Sequence, residues 1–334
     1  MSSVKERKFA MRLYIIGNGF DRAHELKTSY WDFRCYLERY ANEFLVEVEK
    51  IYGYYPYDPD DYHVPQSMQG DALKWHENML YNILWKSFES SLGMPEESEF
   101  DIICDSAIDE MNKLESGPVG IEDTLNLYFE KQFGFVSELK DYLLKWAKQI
   151  RLAKAIVKKK EICNSTDLFL TFNYTATLER VYGIEPSNIC HIHGGISPYC
   201  NTAPIIGHGN MDSICRWKQR EKENDAVFDE GGASKCKAIA NFYLRTLKNT
   251  DKILIANSAF FQKVIDVEEV IVIGHSFGDV DMPYFKEIVE LSDKKIPWTI
   301  VYHSDSERVS IENKAKNLGL INITMVHSDN YWDN

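Results

Sequence analysis

The chain has 334 residues, 44% of them hydrophobic and 27% charged, with a formal net charge of −13. This length carries one large α/β domain with an insertion, or two domains. The negative charge disfavours a general affinity for nucleic acid phosphates, and no apolar run approaches the roughly 18 residues of a membrane span. The start, Met-Ser-Ser-Val-Lys-Glu-Arg-Lys, has no apolar signal region. The expectation is a cytoplasmic protein with no membrane partner, and nucleic acid as an unlikely one. Cys35, Cys104, Cys163, Cys190, Cys200, Cys215 and Cys236 include no C-x-x-C pair, which predicts reduced and mostly buried thiols.

After a flexible N-terminus over residues 1–10, residues 11–16 read as a buried strand. It runs into Gly17-Asn18-Gly19-Phe20-Asp21, a Gly-x-Gly turn of the kind that lets backbone amides approach a phosphate. Over residues 30–52, Phe33, Leu37, Tyr40, Phe44, Val48 and Ile51 step by three or four and form one helical stripe. Residues 54–69, rich in Pro, Asp and Tyr, read as a loop. Helical patterns cover residues 71–91, 99–114 and 121–158, the last ending in Lys158-Lys159-Lys160, a solvated helix end. Residues 30–160 therefore read as a helical insertion over the mouth of a sheet, a lid that excludes water.

Residues 168–172 form a second apolar run ending in Asn173, and residues 189–192 a third ending in His193-Gly194-Gly195. Residues 204–206 look like a short strand entering Gly207-His208-Gly209. Residues 212–235, polar and carrying Gly231-Gly232, read as a long loop. Helices follow at residues 234–248 and 250–264. A strand at 269–273 ends in Gly274-His275-Ser276-Phe277-Gly278-Asp279. A helix at 282–292, a strand at 298–302, a helix at 307–318 and a strand at 322–326 close the chain. Alternating strands and helices predict an α/β, Rossmann-like fold: a mainly parallel, doubly wound sheet with a large helical insertion. Ligands of such sheets sit beyond the carboxyl ends of the strands, where Asn173 and His193 stand.

A second reading is an α/β-hydrolase-like serine hydrolase. Gly274-His275-Ser276-Phe277-Gly278 fits the nucleophile elbow, His193-Gly194-Gly195 could pose as an oxyanion loop, and Asp305 and His327 follow Ser276 in the right order. Against it, Asp279-Val280-Asp281-Met282-Pro283 follows where the elbow helix favours small residues.

Four motifs taken together, Ile15-Ile16-Gly17-Asn18-Gly19-Phe20-Asp21, Thr171-Phe172-Asn173-Tyr174-Thr175, His191-Ile192-His193-Gly194 and Ile273-Gly274-His275-Ser276-Phe277-Gly278-Asp279, resemble the AbiH family of bacteriophage abortive-infection proteins. The same order is similar, more distantly, to the sirtuin-like domains of bacterial antiphage NAD hydrolases. Those carry a Gly-x-Gly turn, a Thr-x-Asn-x-Asp tip, a His-Gly tip and a late Gly-x-Ser tip. The resemblance implies a single sirtuin-like α/β domain over residues 11–334, active in antiviral defence. It implies NAD as substrate, with no metal. Gly17, Asn18, Gly19, Asp21, Ser276 and Asp279 would bind the nucleotide, Asn173 would hold the ribose or the attacking water, and His193 would be the general base. It leaves open a phage-derived activator, a homo-oligomer, and a nucleotide-binding sensor without turnover. Thr175 stands where those domains have Asp, and no Cys-x-x-Cys module lies near His193, which argues against protein deacetylation but not against NAD cleavage.

Overall fold

Leu13, Tyr14, Ile15 and Ile16 are all buried, and successive side chains of a strand point to opposite faces. β1 (Arg12–Ile16) must therefore be covered on both sides, the condition of a parallel sheet. The computed structural model describes residues 10–54, 72–102, 104, 106, 135–196, 202–293 and 295–333. In it, β1 joins β2 (Leu168–Thr171), β3 (Ile189–His191), β4 (Glu269–Ile273), β5 (Trp298–Tyr302) and β6 (Ile323–His327) in one sheet. The order is β3-β2-β1-β4-β5-β6 and every pair is parallel. This is the Rossmann order, in which the winding reverses between β1 and β4.

Leu13 and Ile15 pack with Leu170, Val272, Phe261, Phe285 and Ile311 on one face. Tyr14 and Ile16 pack with Phe20, Phe169, Leu178, Ile273 and Tyr331 on the other. Each such burial contributes about 1.5–3 kcal/mol. Asp167, fully buried just before β2, bonds the Arg12 amide at 3.1 Å and its guanidinium at 3.0 Å, which ties the starts of β1 and β2. Register then makes the far ends level: Ile16 lies opposite Thr171 and Ile273, and Thr171 opposite His191. All four sequence motifs thus leave the sheet from one row.

The chain divides into two compact units, one of Met1–Ser29, Leu144–Ile205 and Asn249–Asn334, the other of Tyr30–Leu143 and Ile206–Lys248. The first holds the sheet. In the second, Arg34 and Trp85 both donate to Glu49 Oε1 at 2.8 Å in a buried network. No helix of the described residues is long and apolar enough to cross a membrane.

Several local expectations are corrected. The helix expected to reach residue 158 ends at Ala147. Its periodic continuation, Ala153 and Val157, is exposed, and Lys159 donates to the Tyr331 carbonyl at 2.9 Å rather than standing in solvent. The stripe over residues 30–52 breaks at Ala41 into Tyr30–Tyr40 and Asn42–Ile51, leaving Tyr40 exposed. Residues 204–206 form no strand. The supposed loop at 212–235 is helical: Met211–Ala226 is capped by Asn210, and Glu230–Thr246 by Asp229, which accepts from the Gly232 amide. The apolar stripe there is narrow, with Ile214 and Trp217 its buried apolar members in the first helix. The described cysteines are free thiols, but Cys35, Cys163 and Cys215 are exposed. The flexible N-terminus, nearly all of the 54–69 loop and most of the helical readings at 103–134 fall outside the described residues.

Where the winding reverses, backbone meets backbone. A Cβ on Gly17 would lie 2.4 Å from the Gly274 carbonyl oxygen, and one on Gly274 (φ +67) 2.4 Å from the Phe20 nitrogen. Gly183 has a similar φ of +68 with nothing within 4 Å. Gly183→Ala should cost only the left-handed backbone penalty, about 1 kcal/mol. Gly274→Ala should cost on the order of 3 kcal/mol or more, because main chain must move. Urea melts of both variants test this, and equal losses would show that the close approach does not constrain the turn.

Candidate active site

The short helix after β1, Asn18–Ala23, carries Asp21 into a fully buried position. Its Oδ2 accepts from Thr175 at 2.6 Å and its Oδ1 from Thr177 at 2.8 Å, while the Asn173 side chain also bonds to it. Burial raises the Asp21 carboxyl to about 6, and the three hydrogen bonds hold it lower than burial alone would. Asn173 Nδ2 also donates to the Gly17 carbonyl at 3.1 Å. An amide NH₂ has two hydrogens, so both are committed within the protein, and Oδ1 remains as the acceptor a ligand could use. Thr175 stands where an Asp was expected from the resemblance, and Asp21 supplies a carboxylate to the same network from β1.

His191, at the tip of β3, lies against Glu179 at 2.9 Å and the Asn173 carbonyl at 3.3 Å. Both partners are acceptors, so the ring ties the tips of β2 and β3.

Two residues on, His193 is buried, with Nε2 3.1 Å from Asp281 Oδ1. The other oxygen of Asp281 lies 3.3 Å from His275 Nε2. His275 Nδ1 accepts from the Phe277 amide at 3.0 Å, which fixes its hydrogen on Nε2, directed at Asp281. The carboxylate therefore faces two imidazoles from two strand tips. Phe172 packs against both rings, at 4.9 Å from His193 and 4.3 Å from His275. A carboxylate that orients an imidazole and stabilises its charged form, in low-dielectric surroundings, equips it for proton transfer. An imidazole nitrogen and a carboxylate oxygen this close are also donor types a divalent cation accepts.

Several of the expected nucleotide ligands are engaged within the protein. The Gly17 amide donates to the Ile273 carbonyl and the Gly19 amide to the Gly274 carbonyl, both at 2.9 Å, so these glycines serve close packing of two turns. Asn18 accepts from Thr28 at 2.5 Å. Ser276 is exposed, on the tip that carries His275. Asp279 is also exposed and pairs with Lys314 at 2.9 Å.

The hydrolase geometry does not assemble. His327 Nε2 lies 3.0 Å from the His303 carbonyl and its Nδ1 near Asp329, and no hydrogen bond links it to Ser276 among the described residues. Phe277, not Ser276, takes the left-handed backbone of the turn, with φ +54. The supposed oxyanion amides are spent, Gly194 on the His191 carbonyl and Gly195 on the Thr202 carbonyl.

Sequence reasoning passed over His275 and Asp281, although both lie in the motif or just after it. It also passed over a buried cluster in the helical unit, where the Lys248 ammonium bonds to Glu89 and the Tyr30 hydroxyl donates to Glu89 at 2.7 Å. Tyr30, Glu89 and Lys248 are far apart in sequence, and none sits in a motif.

Residues 13–302 match the family model described as Bacteriophage abortive infection AbiH. No curated protein and no solved structure matches the chain.

Asp21 makes a pH-dependent contribution whose sign follows from its raised pKa. Between the ordinary 3.8 and about 6 the folded state holds the proton more tightly than the unfolded one. Stability from this group therefore falls as pH rises through that window and is flat above it. Asp21→Asn should lose that slope, gaining on the wild type by up to roughly 3 kcal/mol between pH 4 and pH 7. A stability difference that stays constant over this range in chemical denaturation would show that Asp21 is not desolvated as described.

Proposed function

The chain belongs to the bacteriophage abortive infection AbiH family, and we propose that it serves phage defence by binding NAD at the carboxyl edge of the sheet and hydrolysing the nicotinamide–ribose bond. The observation that carries this reading is the His193–Asp281 pair at 3.1 Å, close to where β2, β1 and β4 end. The winding reverses between β1 and β4, the usual place for a nucleotide in an open α/β sheet.

The reaction suits these groups. Nicotinamide leaves as a neutral base, taking the electrons of the glycosidic bond, and an oxocarbenium-like C1′ accepts water. The demand is for positioning and for one base, not for a strong nucleophile. His193, whose Nε2 lies 3.1 Å from Asp281 Oδ1, is the base. It removes the proton of the attacking water while Asp281 stabilises the imidazolium that results. The Asn173 Oδ1 accepts from a ribose hydroxyl, since its amide hydrogens are held by Gly17 and Asp21. Ser276 contacts the ligand from the adjacent tip. Gly17, Asn18 and Gly19 form the wall beside it, with Asp21 behind them. Asp279, paired with Lys314, steadies the β4 turn.

The test is nicotinamide release from NAD by the purified protein, with and without lysate of phage-infected cells. His193→Ala and Asp281→Asn should each lower the rate about a hundredfold or more. Ser276→Ala should mainly raise KM. A fully active His193→Ala beside an inactive Ser276→Ala would replace this reading with the serine hydrolase. Tight NAD binding by the wild type without release under any condition would make the protein a sensor.

A further inference from the structure

β6 is an edge strand of the sheet. The Trp298 amide donates to the Asn322 carbonyl at 2.8 Å, and Trp298 lies opposite Ile323. Along a paired strand, residues that bond the neighbour alternate with residues that turn away from it. Asn322, Thr324 and Val326 therefore bond to β5, while Ile323 and Met325 direct their amides and carbonyls outward. Among the described residues no hydrogen bond reaches these outward groups. The flanking helices pack on the faces of the sheet: Ile311 and Ala315 of Asp305–Asn317 on one, Tyr331 of Ser328–Asp333 on the other, beside Tyr14 and Ile16.

Sheet edges are ordinarily blunted by charge, proline, a bulge or shortness. β3, the opposite edge, has three residues, and its outward His191 carbonyl accepts from the Gly194 amide at 2.9 Å. β6 has five residues, Ile-Thr-Met-Val-His, in unbroken register with β5 and without Lys, Arg, Asp, Glu or Pro. Thr324 is exposed, Ile323 and Met325 are half-buried against the core, and Ile321, just before the strand, is 75% exposed.

We propose that β6 pairs with β6 of a second copy of this chain, antiparallel, about a two-fold axis at Thr324. At that register the outward groups of Ile323 meet those of the partner's Met325, and each such pair exchanges both N–H···O bonds. The two Thr324 side chains face each other as a close β-branched pair, and Ile323 and Met325 carry the apolar layer of one face across the axis. No carboxylate or ammonium group on either strand meets its like. Closure selects a second copy as the occupant. Joining open edge to open edge leaves only the two blunted β3 edges outside, so assembly stops at a dimer, as an isologous contact does. An edge kept for an occasional partner would meet other copies of the chain first. The inference is independent of the NAD reading.

The test is sedimentation of the full-length protein over a range of concentrations, for wild type, Thr324→Lys, Thr324→Glu and an equimolar mixture of the two variants. Both variants should keep the far-ultraviolet circular dichroism of the wild type, because charged side chains are what guards natural edges. Expected is a monomer–dimer equilibrium for the wild type. Each variant alone should raise its dissociation constant at least tenfold, through like charges at the axis, and the mixture should recover the dimer, because opposite charges then face. A wild type that stays monomeric overturns the proposal, and if it then binds an alternating valine–threonine peptide the edge belongs to an extended segment of another protein. A dimer that Thr324→Lys leaves intact overturns it too, by placing the contact elsewhere. So do assemblies larger than a dimer, or a mixture as monomeric as its components.

Discussion

The turn after β1 and the turn after β4 share space that only glycine backbones can share. Gly17, Gly19 and Gly274 touch main chain to main chain, and the Gly17 and Gly19 amides are consumed by the Ile273 and Gly274 carbonyls. That contact sets the spacing of the sheet's carboxyl edge where the winding reverses. From it follow the position of the Gly17 carbonyl, which Asn173 grips, and of Asp21, four residues after Gly17 in the chain. The glycines of the motif are thus explained by backbone approach within the protein, a use as demanding as cradling a phosphate.

Two carboxylates then divide the work at this edge. Asp21 is closed: two threonine hydroxyls and the Asn173 amide satisfy it, and burial pushes it up to about 6. Such a group locks β1 and β2 together and offers little to a ligand. Asp281 is partly exposed and faces two imidazoles, His193 and His275, one of which is held in a single tautomer by the Phe277 amide. A carboxylate of this second kind can respond to a proton arriving on its neighbour, which is what acid–base chemistry requires.

Much of this was legible in the sequence. The buried runs and their polar ends located the strand tips, since an apolar run that stops at Asn173 or at His193 marks where a parallel strand leaves its covered sheet. The parallel, doubly wound class followed from the alternation of strands and helices. Partners were less legible than places. Asp279 and Asp281 are chemically equal in sequence, and only the course of the turn aims one at Lys314 and the other at two histidines. Asp21 looked like a ligand because it follows a Gly-x-Gly turn; its burial against Thr175 and Thr177 depends on a pairing across more than 150 residues. The helix Met211–Ala226 was hidden because it buries so narrow a stripe in so polar a sequence, whereas Glu230–Thr246 was legible from residue 234 and only its start, at Gly231-Gly232, was read as loop.

Under the proposed function, a nucleotide must reach the His193–Asp281–His275 group without reaching other histidines. The most direct measurement is a titration of NAD into protein carrying ¹⁵N-labelled histidine, read from the imidazole resonances. Expected are shifts of His193 and His275, with His275 protonated on Nε2 throughout and His208, buried in the helical unit, unmoved. Shifts confined to His303 and His327, or none at saturating NAD, would contradict a ligand site at this edge of the sheet.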